Sequence, residues 1–253
     1  MPRFAANLTF LFKEFPFLER FDAAADAGFD GVEVLFPYDD AATEIARRLE
    51  RSGLPLVLIN TPPPNWTGGA RGFAAIPGGE TRFQSDFKRA LRYAEVLKPQ
   101  HIHIMAGKAQ GPAARNTFIR NLAWAAKQAP TQSLTIEPIN QTDMPGYFLN
   151  DFELASVVLA EVGAPNLGLQ FDAYHAQIIT GDALRAWETY RHLVRHVQVA
   201  GVPGRHEPDR EDIDYPKFFR ALDAAGYDGC VSGEYNPIAR TTDGLGWFRK
   251  RMK

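Results

Sequence analysis

The chain has one cysteine, Cys230, among 253 residues, so no disulfide can form within it and a reducing compartment is expected. That thiol lies in an apolar, strand-like stretch and reads as a small buried side chain. Long apolar runs are missing as well: none approaches the roughly 20 residues that a bilayer-crossing helix needs. The apolar stretch 5–12 is short, holds Asn7 and Thr9, and meets Lys13 and Glu14 with no small-residue cleavage site. It reads as the first strand of a cytoplasmic protein. No lysine- or arginine-rich stripe exists, and 28 basic against 30 acidic residues leave a net charge of −2. Nothing therefore points to nucleic acid or an anionic membrane surface as a partner. Also missing are a Gly-x-Gly-x-x-Gly turn after an early strand, a P-loop, a His-Glu-x-x-His helix and a paired-cysteine motif.

What is present is a rhythm. Strand-like stretches at 3–8, 31–36, 54–60, 100–105, 133–140, 167–172, 194–199 and 229–234 alternate with helical patterns at 16–27, 39–52, 80–97, 112–128, 150–162, 182–192, 215–225 and 243–253. Gly28 and Gly53 stand where helix-ending glycines belong. Repeated strand–helix units imply parallel strands joined by right-handed crossovers. Eight units in this length match a closed (β/α)8 TIM barrel, expected as a single domain over residues 1–253. An open doubly wound sheet is the competitor, and its dinucleotide form lacks its glycine signature here. Two segments break the rhythm, a proline- and glycine-rich stretch at 61–79 and a polar loop at 201–214. The first is too long for a routine connection and reads as a functional loop.

The chemistry gathers at strand ends. Ser133-Leu134-Thr135-Ile136 delivers Glu137 directly before Pro138, which donates no backbone hydrogen bond and stops the ladder. A carboxylate at the end of a buried strand is costly unless a charge partner meets it. Asp172, Gln198 and Glu234 close the next three strands in the same way. In a barrel these four converge on the rim where the loops after the strands build the active site. Three carboxylates and an amide oxygen form a hard ligand set that suits Mg²⁺ or Mn²⁺ better than zinc. A divalent ion would also relieve the repulsion among the carboxylates.

Other residues take candidate roles by position. Arg205, on the mouth loop after the seventh strand, is placed to grip a carboxylate through two bonds, or else is a solvated loop arginine. Lys108, after the fourth strand, offers the same service. His175 can lean over the site from the turn after Asp172, and His206 lies on the Arg205 loop. His103 either reaches the pocket from the fourth strand or is a hydrogen-bonded core histidine. His192 and His196 sit near the entry to the seventh strand and read as structural or exposed. Phe10, Phe12, Trp66 and Phe73 either wall the pocket or pack the core.

With these residues in hand, the chain resembles the hydroxypyruvate isomerase family, including its 2-oxo-tetronate isomerases, within the xylose-isomerase-like barrels. The matching stretches include Phe4-Ala5-Ala6-Asn7-Leu8, Ile136-Glu137-Pro138-Ile139-Asn140, Asp172-Ala173-Tyr174-His175 and Gly204-Arg205-His206-Glu207-Pro208. The resemblance implies Glu137 and Glu234 as the acid/base pair, and Glu137, Asp172, Gln198 and Glu234 as ligands of a divalent metal. It implies an aldose–ketose-type isomerase of a short hydroxy-oxo acid, working through an enediolate. Arg205, His175, His206, Lys108 and His103 are then expected to contact substrate. A divalent-metal ketose 3-epimerase on the same barrel is the alternative, and a homo-oligomer remains open.

Overall fold

The structure is a computed structural model that describes residues 2–63, 71–208 and 212–249. Trp66 and the centre of the 61–79 stretch lie outside the described residues, as do the last residues of the expected C-terminal helix. Eight parallel strands close into a barrel in sequence order. They are β1 (Arg3–Asn7), β2 (Gly31–Glu33), β3 (Leu56–Asn60), β4 (His101–His103), β5 (Ser133–Ile136), β6 (Leu167–Asp172), β7 (Val194–Val199) and β8 (Cys230–Gly233). Several are shorter than the sequence suggests, because the backbone turns out of the ladder as soon as it reaches the rim.

Outside the strands lie α1 (Arg20–Ala27), α2 (Ala42–Ser52), α3 (Glu80–Leu97), α4 (Gly111–Gln128), α5 (Phe152–Val162), α6 (Ala173–Thr180), α7 (Ala183–Tyr190), α8 (Tyr215–Ala224) and α9 (Gly246–Arg249). The β6–β7 crossover holds two helices where the sequence showed one at 182–192. Asp172 explains the extra one: its side chain accepts from Tyr174 N–H at 2.9 Å and so caps α6. Gly181 then ends that helix in a left-handed conformation, φ 78°. The following residue, Asp182, caps α7 by accepting from Arg185 N–H.

The apolar core fills the shell between strands and helices. Phe171 is fully buried there and packs against Phe152, Trp187 and Phe218 at ring-centroid distances of 5.3, 5.7 and 6.0 Å. Phe171→Ala is expected to destabilise the fold by about 3–5 kcal/mol, read as a lower denaturant midpoint at an unchanged slope. A loss below about 1 kcal/mol would mean that the aromatic shell carries little of the stability.

The barrel interior is different. Such interiors are usually filled by branched apolar side chains. Here Asn7, Glu33, His103, Thr135, Gln170, His196 and Gln198 are all buried, none more than 1% exposed. Polar groups removed from water this completely need partners, and most of them have one just below the site.

Candidate active site

Glu137 follows β5 directly, Asp172 ends β6, Gln198 is the penultimate residue of β7, and Glu234 follows β8. All four are buried, and their side chains meet at one end of the barrel. Arg205 joins two of them. Its Nη2 donates to Glu234 Oε1 at 2.5 Å and to Asp172 Oδ2 at 3.2 Å. The guanidinium lies 5.2 Å from the ring centres of both Phe10 and Tyr174, so aromatic faces flank the charge. Its backbone adopts φ 54°, unfavourable for any residue with a side chain. A hydrogen bond from Asn236 N–H to Arg205 O, 2.8 Å, and the two carboxylate contacts hold it there.

The other oxygen of Glu234 accepts from two amides, Asn7 Nδ2 at 2.9 Å and Gln198 Nε2 at 2.5 Å. The same two amides donate to Glu33 Oε2, each at 3.0 Å. Glu33 Oε1 lies against His196 Nε2. Gln198 Oε1 in turn accepts from Gln170 Nε2 at 2.8 Å, and Gln170 Oε1 accepts from the Thr135 hydroxyl at 3.1 Å. As placed, Gln198 therefore turns N–H groups toward the carboxylates and its oxygen toward Gln170.

Burial dominates the electrostatics. It raises Glu137 well above the usual carboxylate range, helped by repulsion from Glu234 and Asp172. Burial also pushes Glu234 up to about 8, and Arg205 opposes the rise. Asp172 moves up for the same reason against the same opposition. Burial works against the charge on Arg205, yet Glu234, Asp172 and Glu137 together hold it more firmly protonated than a free arginine. His175 is driven well below its ordinary value by burial and by Arg205. Its Nδ1 faces Asn140 Nδ2 at 2.7 Å, and Asn140 Oδ1 already accepts from Asp143 N–H. This arrangement assigns the His175 proton to Nε2, 3.7 Å from Asp172 Oδ2.

The residues fit a divalent cation. Glu137 and Asp172 each offer a carboxylate oxygen, and a ring nitrogen of His175 lies within 4.8 Å of both, all three residues buried. Among the described residues Glu137 Oε1 is buried with no hydrogen-bond partner, and a cation is the partner that a buried carboxylate lacks. Glu234 and Gln198 stand beside this group, their oxygens taken up by Arg205, Asn7 and Gln170.

The remaining sequence candidates scatter. His103 is buried with Nδ1 3.7 Å from Glu137 Oε2, beyond hydrogen-bond reach. His206 Nδ1 pairs with the Asn236 carbonyl oxygen at 2.8 Å. Lys108 is exposed, and its backbone bridges to Tyr147. Phe12 packs in the core against Phe29, and Phe73 lies beneath Arg82.

The family model of xylose isomerase-like TIM barrels matches residues 21–251. The chain belongs to that family. Within it, the 2-oxo-tetronate isomerase of Cupriavidus necator is 48% identical over 98% of each chain. The hydroxypyruvate isomerase of Escherichia coli is 37% identical over 98% of each chain. These matches set this xylose isomerase-like barrel in the hydroxypyruvate isomerase group. A crystal structure described as AP endonuclease, family 2, from Brucella melitensis is 47% identical over 99% of each chain, with a TM-score of 0.95. D-psicose 3-epimerase from Clostridium cellulolyticum H10 superposes with a TM-score of 0.76 at 16% identity, over 98% of this chain and 90% of that one, which shows the shared barrel alone.

Sequence reasoning missed the layer beneath the site of this family member. Asn7 and Glu33 alternate with apolar neighbours just as solvent-facing strand residues would, so pattern gave no sign that they point into the barrel. His196 reads as structural or exposed from the sequence, and its burial against Glu33 leaves the structural reading. Glu33 and His196 sit on strands that are not neighbours in the barrel, so their contact follows only from closure of the ring.

Proposed function

We propose that the protein interconverts short hydroxy-oxo acids, as an aldose–ketose-type isomerase, by moving a proton between adjacent carbons through an enediolate. The observation that carries this reading is the pair Glu137 and Glu234. Both are buried carboxyls with raised proton affinity, and Glu234 near 8 can hold or release a proton close to neutral pH. For hydroxypyruvate, one glutamate takes the C3 proton and the other delivers a proton to C2, while the hydroxyl proton passes from O3 to O2. The product is tartronate semialdehyde. For 2-oxo-tetronate the same exchange gives 3-oxo-tetronate. His175, with its proton on Nε2 beside Asp172, is placed to donate to the oxygens of the reacting carbons.

Arg205 would receive the substrate carboxylate. A divalent ion, Mg²⁺ or Mn²⁺, would be held by Glu137 and Asp172, with Glu234 beside them, and would supply charge stabilisation for the enediolate. The name of the Brucella protein raises phosphodiester cleavage as a second reading. A net charge of −2 and the missing basic stripe argue against a nucleic-acid partner.

The deciding measurement is NMR of hydroxypyruvate and of 2-oxo-tetronate in D2O with Mn²⁺-loaded protein. Product carrying deuterium at the carbon that gains the proton is expected. No conversion of either acid would end the proposal. Arg205→Met is expected to raise KM for the acid by roughly ten- to a hundredfold through the lost charge-assisted pair. An unchanged KM would take Arg205 out of substrate binding and favour a neutral ketose as substrate.

A further inference from the structure

The side of the mouth formed by β3, β4 and β5 holds polar atoms that the proposed chemistry leaves unused. Among the described residues, Asn60 Oδ1 and both ring nitrogens of His103 are buried without a hydrogen-bond partner. Asn60 is 4% exposed and His103 1%. They are register partners on β3 and β4, and His103 is the register partner of Thr135 on β5. Partners in a parallel ladder project to the same face. Thr135 points into the barrel, since its hydroxyl bonds Gln170, so Asn60 and His103 point there too.

Asn60 is well fixed. Its N–H donates to Leu35 O at 2.8 Å, its carbonyl oxygen accepts from the Tyr38 hydroxyl at 2.5 Å, and its side-chain nitrogen rests 4.0 Å from Met105 Sδ. Buried, immobile acceptors and donors without partners are costly and call for a polar ligand.

Position in the ring says which part of a ligand. Arg205 and Glu234 belong to the β7 and β8 side, and in the order β1 to β8 the β3–β4 side lies across the barrel from them. An acid held by its carboxylate at Arg205, with its reacting carbons next to that carboxylate, turns its far end toward Asn60 and His103. A three-carbon acid ends at the reacting carbons. A four-carbon acid carries a hydroxymethyl group beyond them.

We infer that Asn60 and His103 form a subsite for the terminal hydroxymethyl group of a four-carbon dihydroxy-2-oxo acid, which makes that acid, rather than its three-carbon counterpart, the preferred substrate. The C4 hydroxyl donates to Asn60 Oδ1 and accepts from the protonated ring nitrogen of His103. This rests on the isomerase reading and adds the feature that selects chain length.

The test measures kcat/KM of the Mn²⁺-loaded protein for 2-oxo-tetronate, for its 4-deoxy analogue (methyl in place of hydroxymethyl) and for hydroxypyruvate. A site built to bond a hydroxyl rejects a ligand that lacks it. The 4-deoxy analogue is expected to fall about tenfold or more below 2-oxo-tetronate. In Asn60→Leu that ratio should shrink toward one. A ratio near one in the wild-type protein, or a full ratio in folded Asn60→Leu, overturns the subsite. If Asn60→Leu does not fold, the wild-type comparison of the two four-carbon acids decides alone. Failure to convert any of the three acids removes the isomerase reading and the subsite with it, whereas equal conversion of all three removes only the subsite.

Discussion

Glu234→Gln is expected to lower kcat by about two to four orders of magnitude, the span that a positioned acid or base contributes. The change removes a titratable group and almost no volume. It does not leave hydrogen bonding untouched. Glu234 Oε1 faces Arg205 and Oε2 faces Asn7 and Gln198, all of them donors. A glutamine has one oxygen for the two sets, so its amide nitrogen must confront donors on one side. That mismatch costs about 1–3 kcal/mol, too little to unfold an ordinary domain. Circular dichroism should show the native signal at reduced thermal stability. The companion Glu137→Gln sharpens the test. Whichever variant still exchanges the substrate proton with solvent, without forming product, has lost the group that delivers the second proton. Turnover within a few-fold of wild type in Glu234→Gln would take that residue out of the acid/base role.

Dialysis against a chelator is expected to abolish turnover, and Mn²⁺ or Mg²⁺ to restore it. Stability should report the same ion with a distinctive pH dependence. Glu137, Asp172 and Glu234 all bind protons more tightly in the folded chain than their ordinary values, Glu234 at about 8 against 4.5. Groups raised in this way stabilise the fold at low pH, and that contribution is lost as pH rises toward the folded value. Three histidines, His101, His103 and His175, act in the opposite sense. Burial lowers His101 and His103 to about 3 from 6.5, so the unfolded chain takes up their protons preferentially only below about 6.5. Between pH 6.5 and 8 the carboxyl effect stands alone. There the ion-free protein should lose up to about 1.4 kcal/mol per pH unit for each carboxyl still protonated. Added Mn²⁺ should give a rise in Tm that grows over the same interval, because its ligands must shed those protons. An ion-induced shift independent of pH would move the cation away from this cluster.

Much of this arrangement was legible in the chain because rim residues announce themselves. Glu137 before Pro138, and Asp172, Gln198 and Glu234 at the close of apolar runs, are costly positions that a folded chain does not leave without compensation. The barrel followed from alternating strand and helix periods, with Gly28 and Gly53 as punctuation. The interior could not be read in the same way. Polar residues alternate with apolar ones in a strand whether the polar face meets water or a closed lumen, so Asn7 and Glu33 carried no mark of their burial. The extra helix α6 was hidden for a related reason. Its sequence, Ala173–Thr180, is mostly apolar and short, and its cap is Asp172, a residue already accounted for at the rim.

The row from Thr135 through Gln170 to Gln198 and on to Glu33 and Glu234 has a direction: every link points its hydrogen the same way round the lumen. One amide turned by itself would set like against like at both of its contacts, and reversing the whole row requires a proton on Glu33 or Glu234 to meet the Gln198 oxygen. Any event that recruits the Gln198 oxygen at the mouth must therefore also rotate the Thr135 hydroxyl two strands away.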